Sequence, residues 1–338
     1  MKTLICGGSG FIGSHFINNI VLKKNNDILN IDKLNYASKL NINLKNLKTK
    51  KNFKNLKIDI TNFKQVSEIV KKFNPDLIIN FAAETHVDRS IVKPYNFLKN
   101  NVIGTFNILE AIRLNKIHIN KKKFIFFQIS TDEVYGDVVG MNFLNEMAHH
   151  NPSSPYAASK ACADDLVRAW SRTYDIPYLM THCTNNYGPY QYPEKFIPKS
   201  IINLITNKKI KIYGNGNQKR DWLYVADNIS AINKIIKEGK INNNYNISTM
   251  KLVKNISLAK KIYKTISKYK NKFNINLKKF DETIDYIEDR KGHDIKYSIS
   301  NNKLKNNLQW TPKVDLDSGI EKTVKWYLYN YKIWKPKR

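Results

Sequence analysis

The stretch Thr3-Leu-Ile-Cys-Gly-Gly-Ser-Gly-Phe-Ile-Gly-Ser14 decides the fold of this chain. Its first four residues predict a short buried strand, and the apolar periodicity that continues to Leu22 predicts a helix. The glycines between them have the spacing G-x-x-G-x-x-G: Gly7 permits a tight turn, Gly10 lets the backbone approach a pyrophosphate, and Gly13 lets helix and strand pack closely. Strand, loop and helix together predict a dinucleotide-binding fold.

An acidic residue follows the next predicted strand. The strand Ile28-Leu-Asn-Ile31 ends at Asp32, about 20 residues beyond the glycines, where a carboxylate accepts hydrogen bonds from the ribose hydroxyls and repels a 2′-phosphate. The sequence therefore favours NAD over NADP. The neighbouring Lys33 weakens this preference, because its positive charge attracts a phosphate.

Strands and helices alternate after a Lys/Asn-rich connection at residues 39–55. The order β-α-β-α-β-α-β predicts an α/β fold with a Rossmann-type doubly wound parallel sheet. The predicted strands are 56–58, Leu77–Phe81, Phe124–Ile129 and Tyr178–Thr184, and the predicted helices are Phe63–Phe73, Tyr95–Leu114 and Pro155–Tyr174.

The composition changes at Asn185, where turn formers and aromatic residues replace the regular alternation. We therefore expect an NAD-binding domain at residues 1–184 and a smaller C-terminal α/β substrate domain at residues 185–338, with segments near 221–250 returning to the first domain. The predicted helices of the second domain are Lys199–Asn207, Leu258–Tyr269 and Ser318–Tyr329.

Two adjacent acids follow the strand that begins at Phe124. Asp132 and Glu133 come directly after Ser130 and Thr131, where the strand leaves the sheet. In open parallel sheets ligands bind outside the carboxyl ends of the strands. Because neighbouring carboxylates repel each other, one of the two tends to stay protonated and the other ionised. The pair can therefore provide a general acid and a general base.

A tyrosine and a lysine share one face of the helix that begins at Pro155. Tyr156 and Lys160 are four residues apart, which places them one turn apart on the same face. An ammonium group near a phenol favours the phenolate, so we expect Lys160 to lower the pKa of Tyr156 toward neutrality. Tyr156 is thus a candidate general base.

The net charge of +29, from 57 basic and 28 acidic residues, is the kind of excess that suggests a nucleic-acid partner. Here the lysines are scattered among Asn and Ile along the whole chain, and no RNA-binding or zinc motif accompanies them. We therefore expect no specific nucleic-acid partner and no bound metal, but a positive field that attracts a small anionic ligand.

The cysteines and the apolar runs indicate the compartment. Cys6, Cys162 and Cys183 are far apart and odd in number, which is typical of a protein in a reducing compartment. The residues before Gly7 are too few for a signal peptide, and no apolar run approaches the roughly 20 residues that a membrane span needs. We expect a cytoplasmic protein without a membrane partner.

Eight motifs follow one another along nearly the whole chain. They are Gly-Gly-Ser-Gly-Phe-Ile-Gly at 7–13, Asp-Lys-Leu-Asn at 32–35, Ala-Ala-Glu-Thr-His-Val-Asp-Arg-Ser at 82–90, Ser-Thr-Asp-Glu-Val-Tyr-Gly at 130–136, Pro-Tyr-Ala-Ala-Ser-Lys at 155–160, Asn-Asn-Tyr-Gly-Pro at 185–189, Pro-Glu-Lys at 193–195 and Arg-Asp-Trp-Leu-Tyr-Val at 220–225. Together they resemble the nucleotide-sugar 4,6-dehydratases of the extended short-chain dehydrogenase/reductase family. Epimerases and decarboxylases of that family usually lack the aspartate at Asp132, so this residue indicates dehydration.

The resemblance implies a reaction on UDP-glucose or dTDP-glucose that yields a 4-keto-6-deoxy sugar nucleotide, with NAD regenerated and retained between turnovers. Tyr156, assisted by Thr131 and Lys160, would deprotonate the 4-hydroxyl while a hydride leaves carbon 4. Glu133 would then remove the proton from carbon 5, and Asp132 would protonate the departing 6-hydroxyl. The resemblance further implies a homodimer paired through the helices at 95–114 and 155–174, and a place in rhamnose-type deoxysugar synthesis.

The same resemblance assigns binding residues along the chain. The residues implied for NAD are Gly7, Gly10, Phe11, Ile12, Gly13, Asp32, Lys33, Leu34, Asn35, Asp59, Ile60, Ala82, Ala83, Glu84, Thr85, Asn100, Tyr156, Lys160 and Asn186. The residues implied for the sugar nucleotide are Thr85, Thr131, Asn185, Lys195, Phe196, Lys211, Ile212, Tyr213, Arg220, Asn255, Arg290 and His293.

Three departures from the family pattern leave the base of the nucleotide open. Ser248 and Thr249 stand where the dTDP-sugar enzymes usually have two glycines, His182 stands where asparagine or arginine is common, and the C-terminal extension of the bacterial enzymes is missing after Trp334. Uracil and thymine differ by one methyl group, worth about 1 to 3 kcal/mol in a pocket. Two other functions also stay open: a 4-epimerase or decarboxylase on the same scaffold, and a non-catalytic basic NAD-binding protein that associates with nucleic acid.

Overall fold

The computed structural model of the protein describes residues 1–22, 26–38, 42–47, 49–121 and 123–334. The strands are β1 (Lys2–Cys6), β2 (Asp27–Asp32), β3 (Phe53–Lys57), β4 (Leu77–Asn80), β5 (Ile125–Thr131), β6 (Tyr178–Cys183), β7 (Asn185–Tyr187), β8 (Ile210–Tyr213), β9 (Lys219–Tyr224), β10 (Asn243–Ile247), β11 (Leu252–Lys254) and β12 (Ile284–Ile287).

The helices are α1 (Phe11–Val21), α2 (Phe63–Phe73), α3 (Val87–Val92), α4 (Pro94–Phe97), α5 (Gly104–Leu114), α6 (Ile117–Asn120), α7 (Pro155–Tyr174), α8 (Phe196–Ile205), α9 (Val225–Glu238), α10 (Asn255–Ser267), α11 (Asn302–Leu308) and α12 (Leu316–Asn330). A π-helical turn, Leu98–Ile103, joins α4 to α5. Short 3-10 helices lie at Ile42–Leu47, Asp132–Tyr135, Phe280–Thr283 and Tyr331–Trp334.

Seven parallel strands form the central sheet in the order β3-β2-β1-β4-β5-β6-β10. The chain moves outward from β1 to β3 and then returns to continue on the other side of β1, so the sheet is doubly wound. The predicted Rossmann-type α/β fold is confirmed. The strand β10, from the second half of the chain, closes the far edge by pairing with β6.

Apolar side chains cover both faces of this sheet. Val66 of α2, Ile108 of α5 and Val167 of α7 pack against one face. Ile17 of α1 and Ile232 of α9 pack against the other. Because both faces are buried, the central strands read as continuous apolar runs rather than as alternating ones, which is why the sequence pattern located them.

A smaller unit built mainly from the second half of the chain lies beyond the carboxyl ends of these strands. It contains a three-stranded sheet, β11-β9-β7, and a two-stranded sheet, β12-β8. Ile201 of α8, Ile262 of α10 and Val324 of α12 form its core. None of the helices in the described ranges combines the length and the apolarity needed to cross a membrane.

The third strand begins earlier than predicted. It starts at Phe53, inside the Lys/Asn-rich connection, and pairs in parallel with β2. Only Phe53 of this strand is buried, because β3 is the edge of the sheet and its other side chains face solvent. An exposed polar edge strand lacks the apolar pattern on which the prediction depends. Positions 39–41 and 48 of the predicted connection lie outside the described residues.

Candidate active site

A cavity of about 480 Å³ lies between the carboxyl edge of the central sheet and the smaller unit. Its lining combines the glycine loop after β1, the ends of β2, β4, β5 and β6, and side chains from α8, β8, β9 and the loop at residues 288–297. Strand ends from one unit and charged side chains from the other therefore face the same space.

The glycine loop forms a tight turn against the end of β4. Gly7 has a φ of +76°, and a Cβ atom on it would lie 2.5 Å from the backbone of Ala82. A Cβ on Gly13 would lie 2.6 Å from the Cα of Gly8, so α1 packs directly on the loop. No side chain caps the N-terminus of α1. Its first amide groups are therefore oriented to bind an anion.

The carboxylate at the end of β2 is buried and held in place. Asp32 accepts hydrogen bonds from the backbone N–H of Ser9 (3.0 Å) and of Leu34 (2.8 Å) and from the hydroxyl of Ser38 (3.0 Å). The ammonium group of Lys33 lies 2.7 Å from a carboxylate oxygen of Glu84, which neutralises it. Its charge therefore opposes the preference of Asp32 for NAD less than the sequence suggested.

The two adjacent acids lie at the carboxyl end of β5, in the first turn of a 3-10 helix. Asp132 is only 2% exposed, and its Oδ2 has no hydrogen-bond partner among the described residues. Burial and the neighbouring charge of Glu133 raise the pKa of Asp132 to about 8. Burial also raises the pKa of Glu133, while the charge of Arg220 opposes that shift. Asp132 is thus protonated at neutral pH.

The prediction that Lys160 lowers the pKa of Tyr156 is wrong for the protein chain alone. Burial, and next the charge of Glu133, raise the pKa of Tyr156 well above its ordinary value, whereas a hydrogen bond with Thr131 lowers it. Lys160 donates instead to the backbone carbonyl of Ile129, at 2.8 Å. Lowering the pKa of the phenol therefore requires a further positive charge in the cavity.

The opposite side of the cavity is rich in cationic side chains. Lys195 donates to the carbonyl of Thr85 (2.6 Å), and burial lowers its pKa. The guanidinium group of Arg220 donates to backbone carbonyls, including that of Asp294 (2.8 Å), and lies 4.1 Å from the ring of Tyr297. The positive charges of these side chains favour the binding of an anion in the cavity.

Arg290 and His293 extend this cationic side along the loop after β12. The Nε of Arg290 is 3.3 Å from Oδ1 of Asp88, and Oδ2 of the same carboxylate accepts from the hydroxyl of Tyr213 at 2.9 Å. His293 lies 2.5 Å from Asp289, but burial lowers the pKa of its imidazole. The loop is thus fixed to both β8 and α3.

Most of the residues predicted to bind NAD line this cavity; only Leu34 and Glu84 do not. Instead, the backbone N–H of Leu34 donates to Asp32, and the carboxylate of Glu84 accepts from the ammonium group of Lys33. All twelve residues predicted for the sugar nucleotide line the cavity, as do the five predicted catalytic residues. Their binding and catalytic roles stay predictions.

Several lining residues were missed by the sequence analysis. Thr184 directly follows β6, so the rule that strand ends carry function could have found it. Tyr297 lies in a segment without a motif, and only the fold brings its hydroxyl to 3.5 Å from Glu133. The other missed residues include His86, Asp88, Gln191, Glu194, Lys199 and Trp222.

A cluster of His150, Asp164 and His182 lies behind the catalytic residues. Their potential ligand atoms are all within 4.8 Å of one another, close enough to be considered as a metal site. Asp164 and His182 are fully buried. The sequence analysis named no metal ligand, because the three residues come from the loop before α7, from α7 itself and from β6.

The chain belongs to the nucleotide-sugar 4,6-dehydratases of the extended short-chain dehydrogenase/reductase family, since the family sequence model described as GDP-mannose 4,6 dehydratase matches residues 4–323. A dTDP-glucose 4,6-dehydratase from Escherichia coli is 40% identical over 99% of this chain and 96% of its own length. The family resemblance predicted from the motifs is confirmed.

Solved structures agree with this assignment. The dTDP-glucose 4,6-dehydratase DesIV from Streptomyces venezuelae, crystallised with NAD and TYD bound, has a TM-score of 0.89 and 32% identity and covers 99% of both chains. A UDP-glucuronic acid 4-epimerase from Bacillus cereus, in complex with UDP-glucuronic acid and NAD, has a TM-score of 0.84 and 25% identity over 98% of this chain and all of the other. The fold is therefore common to both reactions, and individual site residues must distinguish them.

Proposed function

We propose that the protein is an NAD-dependent hydro-lyase that converts a nucleoside-diphosphate glucose into its 4-keto-6-deoxy derivative. One observation carries the proposal: the buried Asp132, whose pKa is raised to about 8 by burial and by the charge of Glu133, lies beside Glu133 in the same cavity as Tyr156. Acid and base are both needed to remove water across carbons 5 and 6. The curated relative from Escherichia coli supports dTDP-glucose as the first candidate substrate.

The cavity fits NAD. The uncapped first turn of α1 would hold the pyrophosphate, and Asp32, which lines the cavity, would bind the adenosine ribose. The side-chain oxygen of Asn186 is buried without a hydrogen-bond partner among the described residues and faces the same space. When bound, NAD supplies a hydride acceptor and, in its oxidised form, a positively charged ring.

Three side chains divide the chemistry between them. Tyr156 would take the proton of the 4-hydroxyl, because the positively charged ring of bound NAD would offset the rise in its pKa that burial causes. Oxidation at carbon 4 acidifies the hydrogen on carbon 5, which the ionised Glu133 removes. Asp132 gives its proton to the departing 6-hydroxyl. Bound NAD would supply the acceptor for the hydride of carbon 4 and the donor of the hydride to carbon 6, so that the reaction would involve no net oxidation.

The cationic side of the cavity is proposed to hold the diphosphate. Lys195, Arg220 and Arg290 carry positive charges there, and arginine pairs with phosphate through two parallel hydrogen bonds. Ser248 and Thr249 do not reach this region. Ser248 donates to the carbonyl of Ile299, and Thr249 donates through its N–H to Asp221 at 2.7 Å. Their difference from the dTDP-sugar pattern therefore gives no reason to prefer uracil.

A comparison of four sugar nucleotides tests the proposal. Purified protein without added NAD is incubated with the UDP-, dTDP-, GDP- and CDP-linked glucoses, each carrying a hydrogen isotope label on carbon 5. We expect one of the first two to give a 4-keto product, with the label lost to solvent. Absence of turnover on all four, with NAD supplied, would contradict the proposed function. Product with an unchanged 6-hydroxyl would indicate an epimerase instead.

Replacing Gly7 by Ala is expected to lower the affinity for NAD at least tenfold, or about 1.4 kcal/mol. The new methyl group would lie 2.5 Å from the backbone of Ala82, which must move. Gly140→Ala is the matched control, since Gly140 has the same φ of +76° but nothing within 4 Å of its Cβ position. Titration calorimetry on protein stripped of cofactor measures both. Equal affinities in the two variants would show that the close contact with Ala82 has no role.

We propose that two copies pair through the outer face of α4, the π-helical turn, α5 and α7. Tyr95, Leu98 and Ile103 are 71%, 49% and 48% exposed on this face. Burying such side chains is favourable by about 25 cal/mol per Å². Sedimentation should give a molecular mass of twice the 39.4 kDa of one chain, and the Ile103→Glu variant should give the mass of a single chain. Ile119→Glu, at another exposed isoleucine, serves as control; a monomeric wild type would refute the pairing.

We also propose that the protein acts in the cytosol and supplies a rhamnose-type deoxysugar route. Cys6, Cys162 and Cys183 are free thiols, as in a reducing compartment. A 4-keto-6-deoxy sugar is the form from which 6-deoxyhexoses are built. Cell fractionation would test the location, and accumulation of the unreacted sugar nucleotide after loss of the protein would test the route.

A further inference from the structure

Asp164 is a buried carboxylate that the proposed reaction does not use. It lies on α7, one turn after Lys160, and is fully inaccessible to solvent. Its Oδ2 accepts hydrogen bonds from the hydroxyl of Ser130 at 2.6 Å and from Nε2 of His182 at 3.2 Å. A fully buried charge without a role is costly, because desolvation opposes ionisation. The residues around Asp164 must therefore account for its buried charge.

Two buried charged groups of α7 bind consecutive residues of β5. Lys160 donates to the carbonyl of Ile129 at 2.8 Å, and Asp164 binds the hydroxyl of the next residue, Ser130. These residues directly precede Thr131 and the acid pair. Because Lys160 and Asp164 are four residues apart on α7 and bind adjacent residues of β5, both groups lie on the side of α7 that faces the catalytic end of the strand.

A metal ion does not explain the cluster that contains Asp164. The guanidinium Nη1 of Arg168 lies 3.4 Å from Nε2 of His150, so a positive charge already occupies its open side. Both ring nitrogens of His182 are engaged, one with Asp164 and the other 3.1 Å from the hydroxyl of Tyr135. Adding a divalent cation would place it against Arg168 and Lys160 together, which is electrostatically unfavourable.

We propose that Asp164, fixed by Ser130 and His182, is a positioning residue that keeps the ammonium group of Lys160 charged and in place behind Tyr156. The inference rests on the proposed function, in which Tyr156 is the base. It assigns Asp164 no contact with the sugar or the cofactor. Its effect reaches the reaction through Lys160 and through the end of β5, while its charge also contributes directly to the raised pKa of Tyr156.

The charges around Asp164 are consistent with this role. Burial lowers the pKa of Lys160, and the charge of Asp164 opposes that shift. Burial raises the pKa of Asp164, but the hydrogen bond and charge of His182, the charge of Lys160 and the hydrogen bond from Ser130 lower it overall. The other charged or titratable groups near Asp164 in the described part of the chain include Arg168 of α7, His150, Tyr135, Tyr156 and Tyr178.

Asp164→Asn tests the proposal, with Asp165→Asn as the matched control. The two positions are adjacent and the charge change is the same, but Asp165 has a side chain that is 62% exposed and pairs with Arg168. Removing the buried charge leaves the ammonium group less stabilised, so the pKa of Lys160 should fall by about one unit. It is measured from the pH dependence of acetylation of the peptide that carries Lys160, quantified by mass spectrometry.

The kcat of Asp164→Asn should fall about tenfold, while that of Asp165→Asn should match the wild type. If Asp164→Asn does not fold, Ser130→Ala replaces it, because it keeps the carboxylate but frees it from the strand; a smaller shift in the same direction is expected. An unchanged pKa of Lys160 in the variant that folds overturns the inference. The acetylation measurement needs no substrate, so it remains decisive even if the proposed function fails.

Discussion

Asp132→Asn should reduce kcat for loss of water about 100-fold, the usual contribution of a positioned general acid. Exchange of the carbon 5 hydrogen with solvent should continue, because Tyr156 and Glu133 are both retained. The amide has the shape of the acid but carries no proton that it can give to the departing hydroxyl. Mass spectrometry of the recovered sugar nucleotide in deuterated water measures this separation of exchange from dehydration.

The pH dependence gives a second readout for the same variant. The pKa of Asp132 is raised to about 8, so its acid form is present below that pH and is lost above it. Glu133 must be ionised, which limits the rate at low pH. Because the two carboxyls interact, the limits belong to the pair. The decline near pH 8 should be absent in Asp132→Asn and present in Asp137→Asn, a control at an exposed aspartate. A residual rate close to wild type would assign the acid to another group.

Tyr156→Phe should reduce kcat about 1000-fold, within the range expected for loss of a general base. It should also abolish exchange at carbon 5, since that hydrogen becomes acidic only after oxidation at carbon 4. The variant keeps the ring, whose centroid lies 6.3 Å from that of Phe97 in an edge-to-face contact. The fold should therefore be retained, and the melting temperature should change by no more than about 2 °C.

Tyr178→Phe is the control for this variant. Tyr178 is a buried tyrosine at the start of β6, at the opposite end of the sheet from the cavity. It should leave kcat and exchange unchanged. If Tyr156→Phe still exchanged the hydrogen at carbon 5, the order of oxidation before proton removal would be wrong. If both variants lost activity, the effect would be on stability rather than on chemistry.

The parts of the fold that local patterns encode could be predicted. The glycine loop, the buried strands and the acids after β5 were located because each is defined by neighbours in sequence. The edge strand β3 begins earlier than predicted, since four of its five side chains face solvent and leave no apolar signal. The helix predicted at 95–114 is present, but the π-helical turn within it was not predicted from the sequence.

The environment of the catalytic tyrosine could not be predicted, because it depends on residues distant in sequence. The i, i+4 spacing places Lys160 near Tyr156, yet the ammonium group bonds to the carbonyl of Ile129, which the spacing does not reveal. The contact between Tyr297 and Glu133 joins residues 164 positions apart. Such contacts follow from the packing of the two units, not from a motif.

The π-helical turn between α4 and α5 fixes the length of that helical segment. Asn100 accepts from Lys33 at 2.7 Å, and Asn101 bonds the backbone of Glu84 on both its N–H and its carbonyl while donating to Ser159. Losing one residue here would restore a regular α-helix and rotate one of the two asparagines by about 100° around its axis. Insertions and deletions should therefore be tolerated in the exposed loop at 139–141 but not in this turn, where the number of residues sets the orientation of both asparagines.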